Sequence, residues 1–262
     1  MKHAARTFAL AVVVSLSACG GSSSGGGSSG PDEESGTDAR VRLALNAPAR
    51  QRLDVTTTST QRVTVDGETR ERTVVTGIDV DAILSERGES FRLDVLRELR
   101  SFSPEASRPP AFELARTSTL FNANGEALEF DDEVSIFDAL ALDAYHVVAL
   151  TLSHPGTPVG VGDTWTERNA LPSIRSTVVT RVEALDDRSI TVSKRIDAGA
   201  DSRERYSVTG EMTAVYALSS MLLRSADISL TVRYTDTLYV NGAPRSFEDS
   251  SIFSQAIREA ST

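Results

Sequence analysis

The sequence predicts a mainly β (β-rich α+β) fold: about ten or eleven strands in one strongly curved antiparallel sheet, interrupted by a single internal amphipathic helix. Three observations carry this. From Arg40 onward apolar and polar residues alternate, the period of a strand with one buried face. Asp-Gly and Asn-Gly pairs separate successive runs, as tight hairpin turns require. Between Asp132 and Leu150 the apolar spacing changes to three and four, which only a helix face explains.

The N-terminal end reads as an address, with no part in the sheet. A short positive segment, Met1 to Arg6, precedes the apolar stretch Phe8–Val14 and then Ser15-Leu16-Ser17-Ala18-Cys19. This is the order of a signal peptide, and the 11 residues from Phe8 to Ala18 are too few to cross a bilayer. Leu16-Ser17-Ala18-Cys19 resembles the bacterial lipobox, in which the cysteine is diacylated and becomes the new N-terminus. The other reading is an ordinary signal peptide with Cys19 incidental. The resemblance implies residues 1–18 as signal peptide, Cys19 as the lipidated residue, and attachment to a membrane through acyl chains. Gly20 after the cysteine, in place of Asp, implies delivery to the outer membrane, on its periplasmic or surface face; in a single-membrane cell it implies the outer face of the plasma membrane.

Gly20 to Gly30 are 11 residues of Gly and Ser only, followed by the acidic Pro31-Asp32-Glu33-Glu34. Neither Gly nor Ser brings apolar area to offset ordering entropy, so residues 19–39 are expected to be a tether spanning roughly 20 Å. Residues 40–262 remain as a single β-rich domain. The chain of 262 residues carries a net charge of −10, which becomes −12 once Lys2 and Arg6 leave with the signal peptide. Such a surface repels phosphate backbones and anionic headgroups, so nucleic acid is not expected as a partner and membrane attachment has to come from lipid. One cysteine excludes an internal disulfide framework.

Within the domain, Val41, Leu43 and Leu45 form a first short run. Leu53, Val55, Thr57, Val63 and Val65 share one parity in a second, ended by Asp66-Gly67. The return strand places Val74, Thr76, Ile78, Val80 and Ala82 on one face, and Arg87-Gly88-Glu89 leads into Phe91, Leu93 and Val95. A proline-containing loop from Ser103 to Pro110 follows, then Phe112, Leu114 and Leu120, the Asn124-Gly125 turn, and Leu128 and Phe130. Asp131 or Asp132 caps the helix, whose apolar face is Ile136, Phe137, Leu140, Ala144, Val147, Val148 and Leu150, and Ser153-His154-Pro155-Gly156 stops it. Later runs are Ile174, Val178 and Val182; Ile190, Val192 and Ile196; Tyr206 and Val208; Met212 to Leu218; and Ile228 to Val240, turned at Asn241-Gly242. Phe247 to Ala260 fits a strand or a helix, and the preceding hairpin turn favours a strand.

Pro158-Val159-Gly160-Val161-Gly162-Asp163-Thr164-Trp165 reads as a turn at Gly160 and Gly162 feeding a strand whose Trp165 anchors the core. Long hairpins, an internal helix, this Gly-Asp-Thr-Trp segment and a second set of hairpins resemble an uncharacterised family of bacterial lipoproteins. The general architecture is similar to the half-barrel of lipoprotein carriers of the LolA/LolB type. That resemblance implies an apolar concavity covered by the helix, with Phe137, Leu140, Val147 and Val148 as candidate contacts to a lipid or to another lipoprotein's acyl chains. The same residues also fit an ordinary solid core.

No catalytic constellation emerges. There is no Gly-x-Ser-x-Gly elbow, and Ser193-Lys194 lacks Ser-x-x-Lys spacing. His146 and His154, eight residues apart across a helix end, do not form a metal-binding face. Asn122 to Glu126 and Asp186-Asp187 read as turns. The expectation is a non-enzymatic, lipid-anchored envelope protein without metal or cofactor, binding a hydrophobic ligand; the alternative is a tethered structural or protein-interaction domain with a solid core and no cavity.

Overall fold

Alternation becomes strand wherever a neighbour is present to take the backbone hydrogen bonds. A computed structural model describes residues 40–104, 117–130, 149–168, 176–199, 206–240 and 243–260. β1 (Ala49–Val65) turns at Asp66 and Gly67, with φ of 51° and 84°, into β2 (Glu68–Arg87). Two consecutive positive φ values give the hairpin whose twist matches its strands. Gly88, φ 63°, opens the turn into β3 (Ser90–Ser103), followed by β4 (Thr117–Phe121) and β5 (Ala127–Phe130). The second set is β6 (Thr164–Arg168), β7 (Ser176–Leu185), β8 (Ser189–Ala198), β9 (Tyr206–Ala217), β10 (Leu223–Val240) and β11 (Ala243–Glu259).

All eleven strands form one antiparallel sheet in the order β5-β4-β3-β2-β1-β11-β10-β9-β8-β7-β6. The chain starts in the middle, walks to one edge, restarts at the other edge and returns, so that β11 pairs with β1. The sheet is open, because β5 and β6 at its ends are not paired with each other.

Register joins the apolar positions into rows. Leu99, Ile78, Val55, Ile257, Ala226, Ala214, Val192 and Val182 are successive cross-strand partners from β3 to β7. All but Leu99 are buried. This face, the inner one, is the core.

Two short segments pack on it. Val41 and Val159 exchange backbone hydrogen bonds of 2.8 Å, with Leu43 and Leu45 buried beyond. Residues 149–154 lie across the face: the Tyr216 hydroxyl donates to the Ala149 carbonyl at 2.8 Å, and Thr151 bridges to Leu222. The Trp165 indole N–H donates to the Ser153 carbonyl at 3.0 Å, and the next residue, His154, donates its backbone N–H to the Asn124 carbonyl at 2.9 Å. Trp165 is on β6 and Asn124 follows β4, nine strand steps apart. A flat sheet would separate them by roughly 43 Å at about 4.8 Å per step. Adjacent residues cannot bridge that gap, so the sheet curls.

Several expectations are corrected. Val41, Leu43 and Leu45 do not form a strand beyond the single bridge at Val41: alternation reported burial of one face, but no strand lies beside the segment to complete a ladder. In β4 the inward parity belongs to Thr117, Thr119 and Phe121, with Leu120 on the other side; Leu128 of β5 is exposed. Threonine hydroxyls at inward positions had hidden that parity. Tyr206 to Ala217 is one strand, and Ala243–Glu259 is a strand as favoured. The turn at 241–242, the residues Phe112, Leu114 and Ile174, and the helix expected over Asp132–Leu150 lie outside the described residues, except that Ala149 and Leu150 are helical.

Candidate functional site

Beside its apolar row the inner face carries a row rich in polar groups. Partners in register across it are Thr76, Thr57, Gln255, Ile228, Met212, Lys194, Thr180 and Trp165, from β2 to β6. The strand period puts Lys194 there: Ile190, Val192, Ile196 and Ala198 on β8 all point inward, so position 194 does as well. Ser193, on the opposite parity, faces out and donates to Glu183 at 2.5 Å.

Lys194 is 5% exposed. Its ammonium lies 5.3 Å from the centre of the Tyr216 ring, within reach of a cation–π attraction, and makes no ion pair within 4.0 Å among the described residues. Burial pushes its pKa down to about 8, opposed by the nearby Glu167. Glu167 itself is raised above the ordinary carboxylate range by burial, against the pull of Lys194 and the Ser153 hydroxyl. Tyr216 is held strongly to its neutral form by burial and then by Glu167. At the far end of the row the Gln255 side-chain N–H donates to the Thr57 hydroxyl at 3.1 Å, while Gln255 Oε1 and Thr76 Oγ1 are buried without a hydrogen-bond partner.

His154 is also buried, and burial is the main cause that lowers its pKa. Its Nδ1 accepts the Gly156 N–H at 3.2 Å, which assigns it to shaping the Pro155-Gly156 turn. Asn122 Oδ1 accepts the N–H groups of Asn124 and Glu126 at 2.9 and 3.0 Å, as a hairpin turn needs. Asp186 Oδ1 accepts from the N–H of Arg188 and Ser189 at 2.8 and 2.7 Å, likewise a turn. In the Gly-Asp-Thr-Trp segment, Gly162 has φ 88° whereas Gly160 does not need the left-handed region. Asp163 accepts the Gly160 N–H at 3.0 Å and pairs with Arg40 at 3.2 Å, and Trp165 packs against the core.

Cys19 and the helix-face candidates Phe137, Leu140, Val147 and Val148 lie outside the described residues. The sequence places Thr57 and Thr76 on buried strand faces and shows Lys194 only beside Ser193; none of these, nor Gln255, stands out there as a site residue. The signal was present for Lys194, an amine in an otherwise apolar inward register. Two hollows are present elsewhere: one of 820 Å³ at the strand ends beside Pro48, Arg188 and Leu218, and one of 370 Å³ beside Asp54, Asp79 and Leu96. Several of their charged wall residues are held in ion pairs, Arg50 with Asp81, Arg224 with Glu259, and Asp54 and Asp79 with Arg100. Among the described residues no group of three His, Cys, Asp or Glu is placed to hold a metal, and no helix is long and apolar enough to cross a membrane.

Fold and site together define an open, curled β-sheet protein with a buried polar row on its apolar face. No family model matches the chain, and no curated protein matches it. Among solved structures it aligns with a DUF1329 family protein from Desulfovibrio piger, at 9% identity over 79% of this chain and 85% of that one, with a TM-score of 0.18. A TM-score at that level supports no transfer of fold or function.

Proposed function

We propose that the protein is a non-enzymatic, lipid-anchored component of the bacterial cell envelope whose inner sheet face binds a hydrophobic ligand, a lipid or the acyl chains of another lipoprotein. The observation that carries this is the apolar row running without interruption across eight strands of an open, curled sheet. An elongated apolar ligand fits such a row better than a compact one. Leu16-Ser17-Ala18-Cys19 supports the anchor, and Gly20 supports the outer membrane as destination. Native mass spectrometry of the full chain carrying Cys19→Ser tests the reading. Co-purifying lipid, or saturable binding of an apolar dye, is the expected result; a bare protein that binds no dye overturns it.

A second reading has its own support. Ile78, Ala82, Leu84, Ile190 and Val192 are 0% exposed, so no hollow of water size adjoins them. This favours a solid, tethered interaction domain. It predicts a bare protein in the same spectrum, and protein partners that crosslink on intact cells in a salt-sensitive manner.

A further inference from the structure

Lys194 is the one lysine of the described strands on the inner face, and nothing within the sheet neutralises it at contact distance. A buried ammonium without an ion partner is an unfavourable state that a protein keeps only when something relieves it. Tyr216 offers its ring face and Glu167 a charge farther off, weakened because burial favours its protonated form. Two more polar atoms in the same row, Gln255 Oε1 and Thr76 Oγ1, are buried and without a hydrogen-bond partner, about three strand steps from Lys194 for the glutamine, roughly 14 Å. The neighbouring row is wholly apolar from Leu99 to Val182. A cation and orphaned polar atoms on one row, beside a row with no polar atom in its side chains, match a molecule with a charged end and a long apolar body.

Resting on the ligand-binding reading above, we propose that Lys194 is the anchor for the carboxylate of an acyl-chain amphiphile, a fatty acid being the simplest, whose chain takes the place of the segments packed on the Leu99-to-Val182 row. The charge count favours a monoanion: one ammonium balances one carboxylate, whereas a phosphate dianion would bring excess negative charge beside Glu167. An ion-paired Lys194 would also hold its proton more firmly, since the groups facing it, Glu167 from β6 and Tyr216 from β9, do not supply a contact anion.

The test is displacement of Nile red from the full Cys19→Ser chain by dodecanoate and by dodecan-1-ol, which differ only in the charged end. Dodecanoate is expected to bind about tenfold more tightly at pH 7, the scale of a charge-assisted hydrogen bond. In Lys194→Met that preference disappears, dodecanoate binding no more tightly than dodecan-1-ol, and Lys194→Arg keeps it. In the unsubstituted site the preference also shrinks from pH 7 to pH 10 as the ammonium is lost, a readout that needs no variant to fold. Equal binding of acid and alcohol, or a preference that survives in Lys194→Met, overturns the anchor and leaves the ligand-binding reading standing. If neither compound displaces the dye, the ligand-binding reading falls and the anchor with it.

Discussion

The indole N–H of Trp165 donates to the Ser153 carbonyl over 3.0 Å, and this bond ties edge strand β6 to the segment that also holds the turn after β4. It is a clasp between two parts of the sheet that are remote in strand order. Trp165→Phe keeps the ring and removes the donor. The expected loss is roughly 1–3 kcal/mol, the cost of leaving a carbonyl unsatisfied in a largely buried place. Urea unfolding checks it; a midpoint equal to that of the wild type would show that the clasp contributes nothing.

Lys194 makes stability depend on pH in a defined direction. Its folded-state pKa, about 8, lies below the ordinary 10.5, so the folded protein releases this proton first. Between pH 8 and 10.5 the unfolded chain holds a proton that the folded one lacks, and stability therefore rises with pH through that window. The full span is roughly 3 kcal/mol at 1.36 kcal/mol per unit. Lys194→Met should be more stable than wild type at pH 7 and should lack the rise. Urea midpoints of both proteins at pH 7, 9 and 10 isolate the effect, and parallel curves would contradict it.

Two glycines with positive φ separate conformational strain from crowding. Gly67, φ 84°, has open space where a Cβ would sit. At Gly125, φ 76°, a Cβ would lie 2.5 Å from the Leu152 carbonyl oxygen. Gly67→Ala should lose only about 1–2 kcal/mol from the left-handed backbone. Gly125→Ala should lose clearly more, since the 149–154 segment must also move. Thermal melts of the two variants rank them; the reverse order would refute the contact.

Cys19→Ser tests the anchor apart from the fold. After cell fractionation the variant should appear in the soluble envelope extract, and the wild type in the membrane pellet. Retention of the variant in the pellet would contradict lipid attachment at this position.

Much of the sheet is legible in the sequence. Parity in Leu53-Val55-Thr57 and in Ile78-Val80-Ala82 reported the buried face, and Asp66-Gly67 reported its turn, because both are consequences of nearest-neighbour geometry. Leu120 was misplaced because Thr117 and Thr119 are buried although polar. The Gly-Asp-Thr-Trp segment was read correctly as turn and strand, but its hydrogen bond to Ser153 could not be inferred from spacing. Lys194 stands in the inward register of Ile190, Val192 and Ile196, but the sequence does not show what surrounds its ammonium.

Local chemistry thus marks most of the strands and the side of each that faces inward. Long-range packing alone sets the rest. Pairing of Val55 with Ile257 and the shared row of Gln255 with Lys194 join residues far apart in the chain. Period-2 patterning is the same for every possible strand order, so only the packed sheet decides which buried polar groups become neighbours.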